Sequence, residues 1–203
     1  MKNNLTKRKL QSLESRKKIF EVAIRLIKDR GFDKVTIEEI CSEAKVSKGL
    51  FYNYFSSKDQ IVVEQFLEID KYYKEIVEND LNNYSGIEKL LEFVKLQLKY
   101  GQYRMGKDLM RNVYRSLIMT SKTGHIVLDD SRFLYTFLTD TIKEAQKMKE
   151  LPRNLDANEI GDSIAVLMRG LFYNWCLYER DFNLEKMGMK IISTFLKGLR
   201  AKV

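Results

Sequence analysis

Apolar residues return every three or four positions along almost the whole of this chain, and a single proline, Pro152, interrupts them. Few folds satisfy both features. Proline breaks helices by removing a backbone donor, and a 3.6-residue repeat lines up one apolar face. No two-residue turn sits between alternating apolar runs, so hairpins are not expected. The predicted class is all-α, with about nine helices.

Local signals place these helices. Ser15 is positioned to cap a first helix reaching about Arg30, with Ile19, Phe20, Ala23, Leu26 and Ile27 inward and Gly31 as its stop. Residues 1–14, with Lys2, Lys7, Arg8 and Lys9, read as a frayed basic arm. Thr36 with Glu39 forms a capping box, so a second helix runs to about Ala44 with Ile37, Ile40 and Cys41 inward. Ser47 caps a short third helix ending at Tyr54 or Phe55. Ser57 caps a fourth, with Ile61, Phe66 and Ile69 as apolar points. Helical spacing continues through Ile87–Leu98, Leu109–Leu117 and Phe133–Ala145. Beyond the Pro152 loop, two long apolar helices span about 156–180 and 184–200.

Composition narrows the chemistry. The only histidine is His125, in a loop-like stretch from Thr120 to Asp130 where exposure is expected. Cys41 and Cys176 are too far apart for a metal-ligand motif and read as buried thiols of a reducing compartment. Histidine-dependent catalysis and multi-histidine metal sites therefore have little to work with. No nucleophile elbow, phosphate-binding loop or dinucleotide fingerprint occurs, so no enzyme, cofactor or metal is expected. No apolar run approaches the ~20 residues a bilayer demands, and a cytoplasmic location is expected.

The formal net charge of +8 is unevenly spread. Residues 1–60 hold 14 Lys and Arg against 8 Asp and Glu, whereas residues 61–203 hold 22 against 20. A basic N-terminal unit followed by a nearly neutral remainder suits a polyanion-facing module attached to something else.

The segment from Thr36 to Lys58 gives that module a geometry. Two short helices joined by a three-residue turn make a helix-turn-helix. The first helix braces on the phosphate backbone, and the second offers its N-terminal residues to base edges in the major groove. Here that terminus reads Ser47-Lys48-Gly49: a cap, a cation, and a residue small enough for close approach. Tyr52, Asn53 and Tyr54 bring polar tips within reach of phosphate or bases, and Lys58 opens the next helix. Thr36 and Ser47 are caps with or without DNA, and Phe51 and Phe55 read as core.

The segment from about residue 15 to 62 resembles the DNA-binding domain of tetracycline-repressor (TetR) family regulators. The shared pattern is Arg30-Gly31-Phe32, then Thr36, Ile40, Ala44, Val46-Ser47-Lys48-Gly49, the aromatic run Phe51–Phe55, and Ser57-Lys58. The resemblance implies a homeodomain-like helix-turn-helix domain at 15–62 and a helical ligand-binding and dimerisation domain at 63–203. It implies that Lys48 and Gly49 approach bases, and that Thr36, Ser47, Tyr52, Tyr54 and Lys58 touch the backbone. Asn53 would touch either. Two positions depart from the pattern. Lys45 stands where the turn commonly has Gly, and Leu50 where Thr or Ser is frequent.

The same resemblance implies a homodimer on a palindromic operator, paired through the helices near 156–180 and 184–200. One short helix reads too few base pairs by itself. Gly161 and Gly170 on the first of these helices, and Gly188 and Gly198 on the second, suit either a dimer seam or packing within one chain. A small, largely apolar or aromatic effector is expected in a pocket drawn from Tyr100, Tyr103, Arg104, Met110, Tyr114, Phe133, Phe137, Met168, Phe172 and Trp175. Arg111 and Arg169 stand near this set as further candidates for holding an anion. Ligand binding would move the fourth helix, change the spacing of the two reading helices and release the operator. The alternative is a dimeric regulator with a filled core, governed by a protein partner or by none.

Overall fold

The computed structural model describes residues 7–119, 128–179 and 182–200. Among these the fold is all-α. It comprises α1 (Lys7–Arg30), α2 (Ile37–Ala44), α3 (Lys48–Tyr54), α4 (Lys58–Leu67), α5 (Ile69–Asn79), α6 (Gly86–Lys99), α7 (Lys107–Met119), α8 (Phe133–Lys147), α9 (Ala157–Leu177) and α10 (Leu184–Arg200).

Helix α1 begins well before Ser15, so the expected arm is already helical from Lys7. Nothing between Lys7 and Ser15 breaks a helix. Ser15 lies inside it and donates its hydroxyl to the Gln11 carbonyl (2.9 Å) instead of capping. The added turns are tied down by Ser12, whose hydroxyl meets the Tyr54 hydroxyl at 2.9 Å, and by Arg16, which pairs with Glu64 at 2.5 Å. The predicted fourth helix is two: a turn at Glu68 separates α4 from α5. A π-helical segment, Tyr100–Met105, joins α6 to Gly106 and was not foreseen. Gly101 explains its position. A Cβ there would lie 2.2 Å from the Phe172 ring, which packs directly on this backbone. His125 and its neighbours 120–127 lie outside the described residues.

Helices α1–α3 enclose a small core of Ile19, Ala23, Ile27, Val35, Ile40, Ala44, Phe51 and Phe55, all buried. The other helices form a bundle in which α6 packs against α8 and α10, and α9 packs against α7, α8 and α10. The two regions meet where α4 lies along α7. No helix among the described residues is long and apolar enough to cross a membrane.

The four glycines of the last two helices separate into two pairs. A Cβ at Gly188 would clash with Leu98 and Leu171 at 2.6 Å, and one at Gly161 would touch Leu138 at 3.5 Å. Those two serve packing within the chain. Gly170 and Gly198 face open space.

Candidate nucleic-acid interface and ligand chamber

The turn between α2 and α3 is built by capping. Thr36 Oγ1 accepts from the Glu39 amide (3.2 Å), and the Glu39 carboxylate accepts from the Thr36 amide (2.8 Å), completing the reciprocal box. That amide, with Arg30, pulls the Glu39 carboxyl down to about 2. Helix α2 ends at Lys45 in the left-handed region, at φ 56° and ψ 47°. This is the conformation for which Gly is preferred. The Val46 amide donates to the Cys41 carbonyl (2.9 Å), closing the C-terminal turn. Ser47 then caps α3, its hydroxyl accepting from the Leu50 amide at 3.1 Å.

These caps fix which side of α3 faces outward. Phe51 and Phe55 are fully buried, whereas Ser47, Lys48, Gly49, Tyr52 and Asn53 are exposed on one continuous surface, and Thr36 is exposed nearby. Tyr52 is 55% exposed and rests edge-on against Phe51, so it is not core. Tyr54 is half-buried, with its hydroxyl turned to Ser12 of α1. Leu50 is half-buried. Lys48 Nζ pairs with Glu38, which lowers the Glu38 pKa and raises that of Lys48. This partner was missed in the sequence, because the ten-residue separation is neither local nor periodic.

Lys58 is held differently from Lys48. Its Nζ donates to the carbonyls of Phe32 (2.8 Å) and Val35, and sits 4.3 Å from the centre of the Phe32 ring. Burial lowers its pKa, opposed by Asp33 and Asp59. Two of its three donors are thus already engaged in fastening the α1–α2 turn to α4. From the other side Arg115 of α7 stands 4.7 Å over the same ring, 3.3 Å from Asp33 and 3.6 Å from Asp59. Ser116 donates its hydroxyl to Asp59 at 2.8 Å. A charged hinge therefore joins the N-terminal unit to the bundle. Sequence offers no sign of it, since Asp33, Asp59 and Arg115 look like ordinary surface charges.

Inside the bundle lies a small, partly enclosed chamber of about 50 Å³. Of the predicted pocket residues, Met110, Tyr114, Met168 and Phe172 line it. The other six do not. Tyr103 and Arg104 are exposed, Tyr100 stacks on Tyr72, and Phe133 and Phe137 stack together beside Phe93. Trp175 is buried beneath Lys107. Arg111 donates to the Cys176 carbonyl at 2.7 Å and is likewise elsewhere. The chamber wall includes Phe66, Ile69, Tyr73, Gln97, Leu134 and Arg169. Gln97 was legible as a polar residue inside the apolar stripe Leu90–Leu98. It is buried within hydrogen-bond reach of Tyr73, whose pKa burial raises strongly. Tyr114 donates to the Arg169 carbonyl (2.9 Å), and Arg169 donates to the Tyr135 hydroxyl (2.9 Å).

Residues 19–64 match the sequence profile of bacterial regulatory proteins of the tetR family, the region that holds the exposed face of α3. The chain carries a tetR-family DNA-binding domain over these residues. It is a DNA-binding transcription regulator. Likeness to tetR-type regulators extends well past the matched region. The fatty acid metabolism regulator protein of Bacillus subtilis is 20% identical over 188 residues, covering 91% of this chain and 95% of its own. A TetR-family regulator from Pectobacterium atrosepticum superposes with a TM-score of 0.73 at 14% identity, covering 94% of this chain and 96% of that one. The Thermus thermophilus FadR repressor, solved with lauroyl-CoA, gives 0.71 at 19% identity, covering 90% and 93%. At these identities the structural likeness speaks for the fold.

Proposed function

We propose that this protein is a tetR-family repressor that binds a palindromic operator as a homodimer and is released by a small, largely apolar effector. One observation carries the reading: α3 presents Ser47, Lys48, Gly49, Tyr52 and Asn53 together outward while Phe51 anchors it from behind. In this reading Lys48 and Gly49 face bases. Thr36, Ser47 and Tyr52 face the backbone, and Asn53 faces either. Tyr54 and Lys58 contribute from the flanks. Lys58 would do so with the one Nζ donor left after Phe32 and Val35. Residues 15–62 form the DNA-binding unit, preceded by a basic N-terminal segment, and residues 63–203 form the sensing and pairing unit.

Pairing is supported by the outer face of α9 and α10. Val166, Tyr173 and Leu177 are exposed at helical spacing around the open Gly170, and Met187 and Gly198 continue the face on α10. Burying this apolar stripe against a second copy removes it from water. Release is supported by the hinge at Arg115, because a shift of α7 would carry α4 and α3 with it. Such a shift regulates only if the effector prefers one arrangement over the other.

DNA selected from a random pool and measured by fluorescence anisotropy tests the reading. Binding should weaken steeply with salt, by about 0.9 log units per log unit of salt for each phosphate neutralised. Lys48→Ala should cost about 1–3 kcal/mol and relax base preference. A selection that enriches no palindrome, or a Lys48→Ala variant that binds the selected site normally, contradicts it.

A second reading has support in the size of the chamber. About 50 Å³ is far below the ~300 Å³ of ordinary ligand pockets, which suits a regulator with a filled interior controlled by a protein partner or by none. A thermal-shift screen of small apolar compounds separates the two readings, since the filled core predicts no stabilising compound.

A further inference from the structure

The chamber wall is apolar but carries one guanidinium whose charge no acidic side chain among the described residues balances. We propose that Arg169 makes this chamber a receptor for an apolar monocarboxylate, with the hydrocarbon body among Met110, Met168 and Phe172 and the carboxylate on the Arg169 fork. The inference rests on the sensing role proposed above and gives it a ligand class.

Three observations carry it. First, none of the residues lining the chamber is acidic, so nothing in the wall favours a cation. Second, the arginines of the bundle differ in their partners. Arg132 is clamped by Asp70 through Nε (2.8 Å) and Nη2 (3.0 Å). Arg111 lies 3.6 Å from Asp108. Among the described residues the Arg169 guanidinium pairs with one group, the neutral Tyr135 hydroxyl, 2.9 Å from one nitrogen. A guanidinium carries five donors in a planar fork matched to a carboxylate, so most of its capacity is uncommitted. Third, its charge is felt at the chamber. The Arg169 guanidinium acts to lower the pKa of the Tyr114 phenol, against the larger effect of burial. Tyr114 itself lines the wall.

The chamber must grow to admit such a ligand, and its wall is suited to that. Met110 and Met168 are unbranched thioethers that repack readily. The Phe172 ring rests on the bare Gly101 backbone of the π-helical segment, with no side chain there to hold it in one rotamer. The carboxylate also brings its own counter-charge, so ligand and Arg169 neutralise one another on burial.

Calorimetric titration of the full-length protein with octanoate, octan-1-ol and octylamine tests this, since the three share a chain and differ in head charge. Octanoate should bind at least tenfold more tightly than octanol, and octylamine most weakly. Arg169→Gln should erase the octanoate advantage and leave octanol binding within about twofold. Arg169→Lys should keep part of the advantage. Equal binding of octanoate and octanol, an Arg169→Gln variant that keeps the preference, or no octanoate binding at millimolar concentration overturns the proposal. Repeating the titration on the DNA complex separates this inference from the effector reading. Octanoate that binds through Arg169 without releasing DNA supports the ligand class and defeats effector control. Release by neutral compounds alone supports effector control and defeats the ligand class.

Discussion

The face of α3 and the chamber behind α7 are built on opposite plans. The α3 face is local: Thr36, Glu39, Ser47 and Lys48 lie within thirteen residues, and capping bonds between near neighbours hold them in place. Its useful side chains are exposed and its ion pairs are wet. The chamber is assembled from six helices, α4 to α9, with residues from Phe66 to Phe172, and the bundle around it holds a buried ion pair across a long separation, Arg132–Asp70. Similar chemistry therefore has different consequences in the two places. An exposed pair such as Lys48–Glu38 can be exchanged for a phosphate at little cost. A buried pair such as Arg132–Asp70 cannot be opened cheaply.

The largest expected effect tests that contrast directly. Arg132→Ala leaves the Asp70 carboxylate largely buried without its clamp and should destabilise the protein by about 3 kcal/mol. Chemical denaturation measures this. A change no larger than that of an exposed pair would show that the interior is wetter than its burial suggests.

Next come two changes confined to the local region. Lys45→Gly relieves the left-handed backbone at the end of α2 and should add about 1 kcal/mol of stability with DNA affinity unchanged. A lower melting temperature would mean that the lysine side chain contributes something the backbone angle does not reveal. Glu38→Gln frees Lys48 from its partner and should tighten binding to all DNA sequences about two- to threefold, on the scale of an exposed ion pair. Anisotropy on matched and scrambled sites measures it, and tightening on one site alone would assign Glu38 to base discrimination.

The smallest effect is a pH dependence. Glu39 is held at about 2, below its ordinary value of 4.5, by the Thr36 amide and Arg30. A group whose pKa is depressed on folding stabilises the fold above its unfolded value and loses that contribution as pH falls through the folded one. The contribution of the capping box should be complete above about pH 4.5 and fade between 4.5 and about 2. Glu39→Gln should make the melting temperature fall less steeply over that interval and leave its course above pH 4.5 unchanged. Parallel profiles for the variant and the parent would remove the carboxylate from the account of α2.

How much of this was legible beforehand follows the same divide. The capping box, the Ser47 cap and the Gly31 stop were readable, because each depends on residues within four positions of one another, whereas Lys45 was marked only by the family resemblance. The helical arm from Lys7, the α4–α5 break and the π-helical segment were not. Ser15 has the composition of a cap, and only the contacts of Ser12 and Arg16 with other helices extend α1 past it. Periodicity marks Tyr100, Phe133, Phe137 and Trp175 as inward but not as facing any particular void. Lys58, read as a contact to the DNA backbone, donates to two carbonyls of its own chain 23 and 26 residues away.

By itself, then, the sequence determined the helical class, the placement of the turn and caps, and the exposed basic start of α3, since short-range sterics and hydrogen bonds act wherever the rest of the chain goes. Tertiary structure alone decided which cations remain available, where the apolar chamber lies, and that Arg169 meets it with no carboxylate of the described residues beside it. Those outcomes depend on which helices pack together, and partners 34 to 82 residues apart leave no periodic trace.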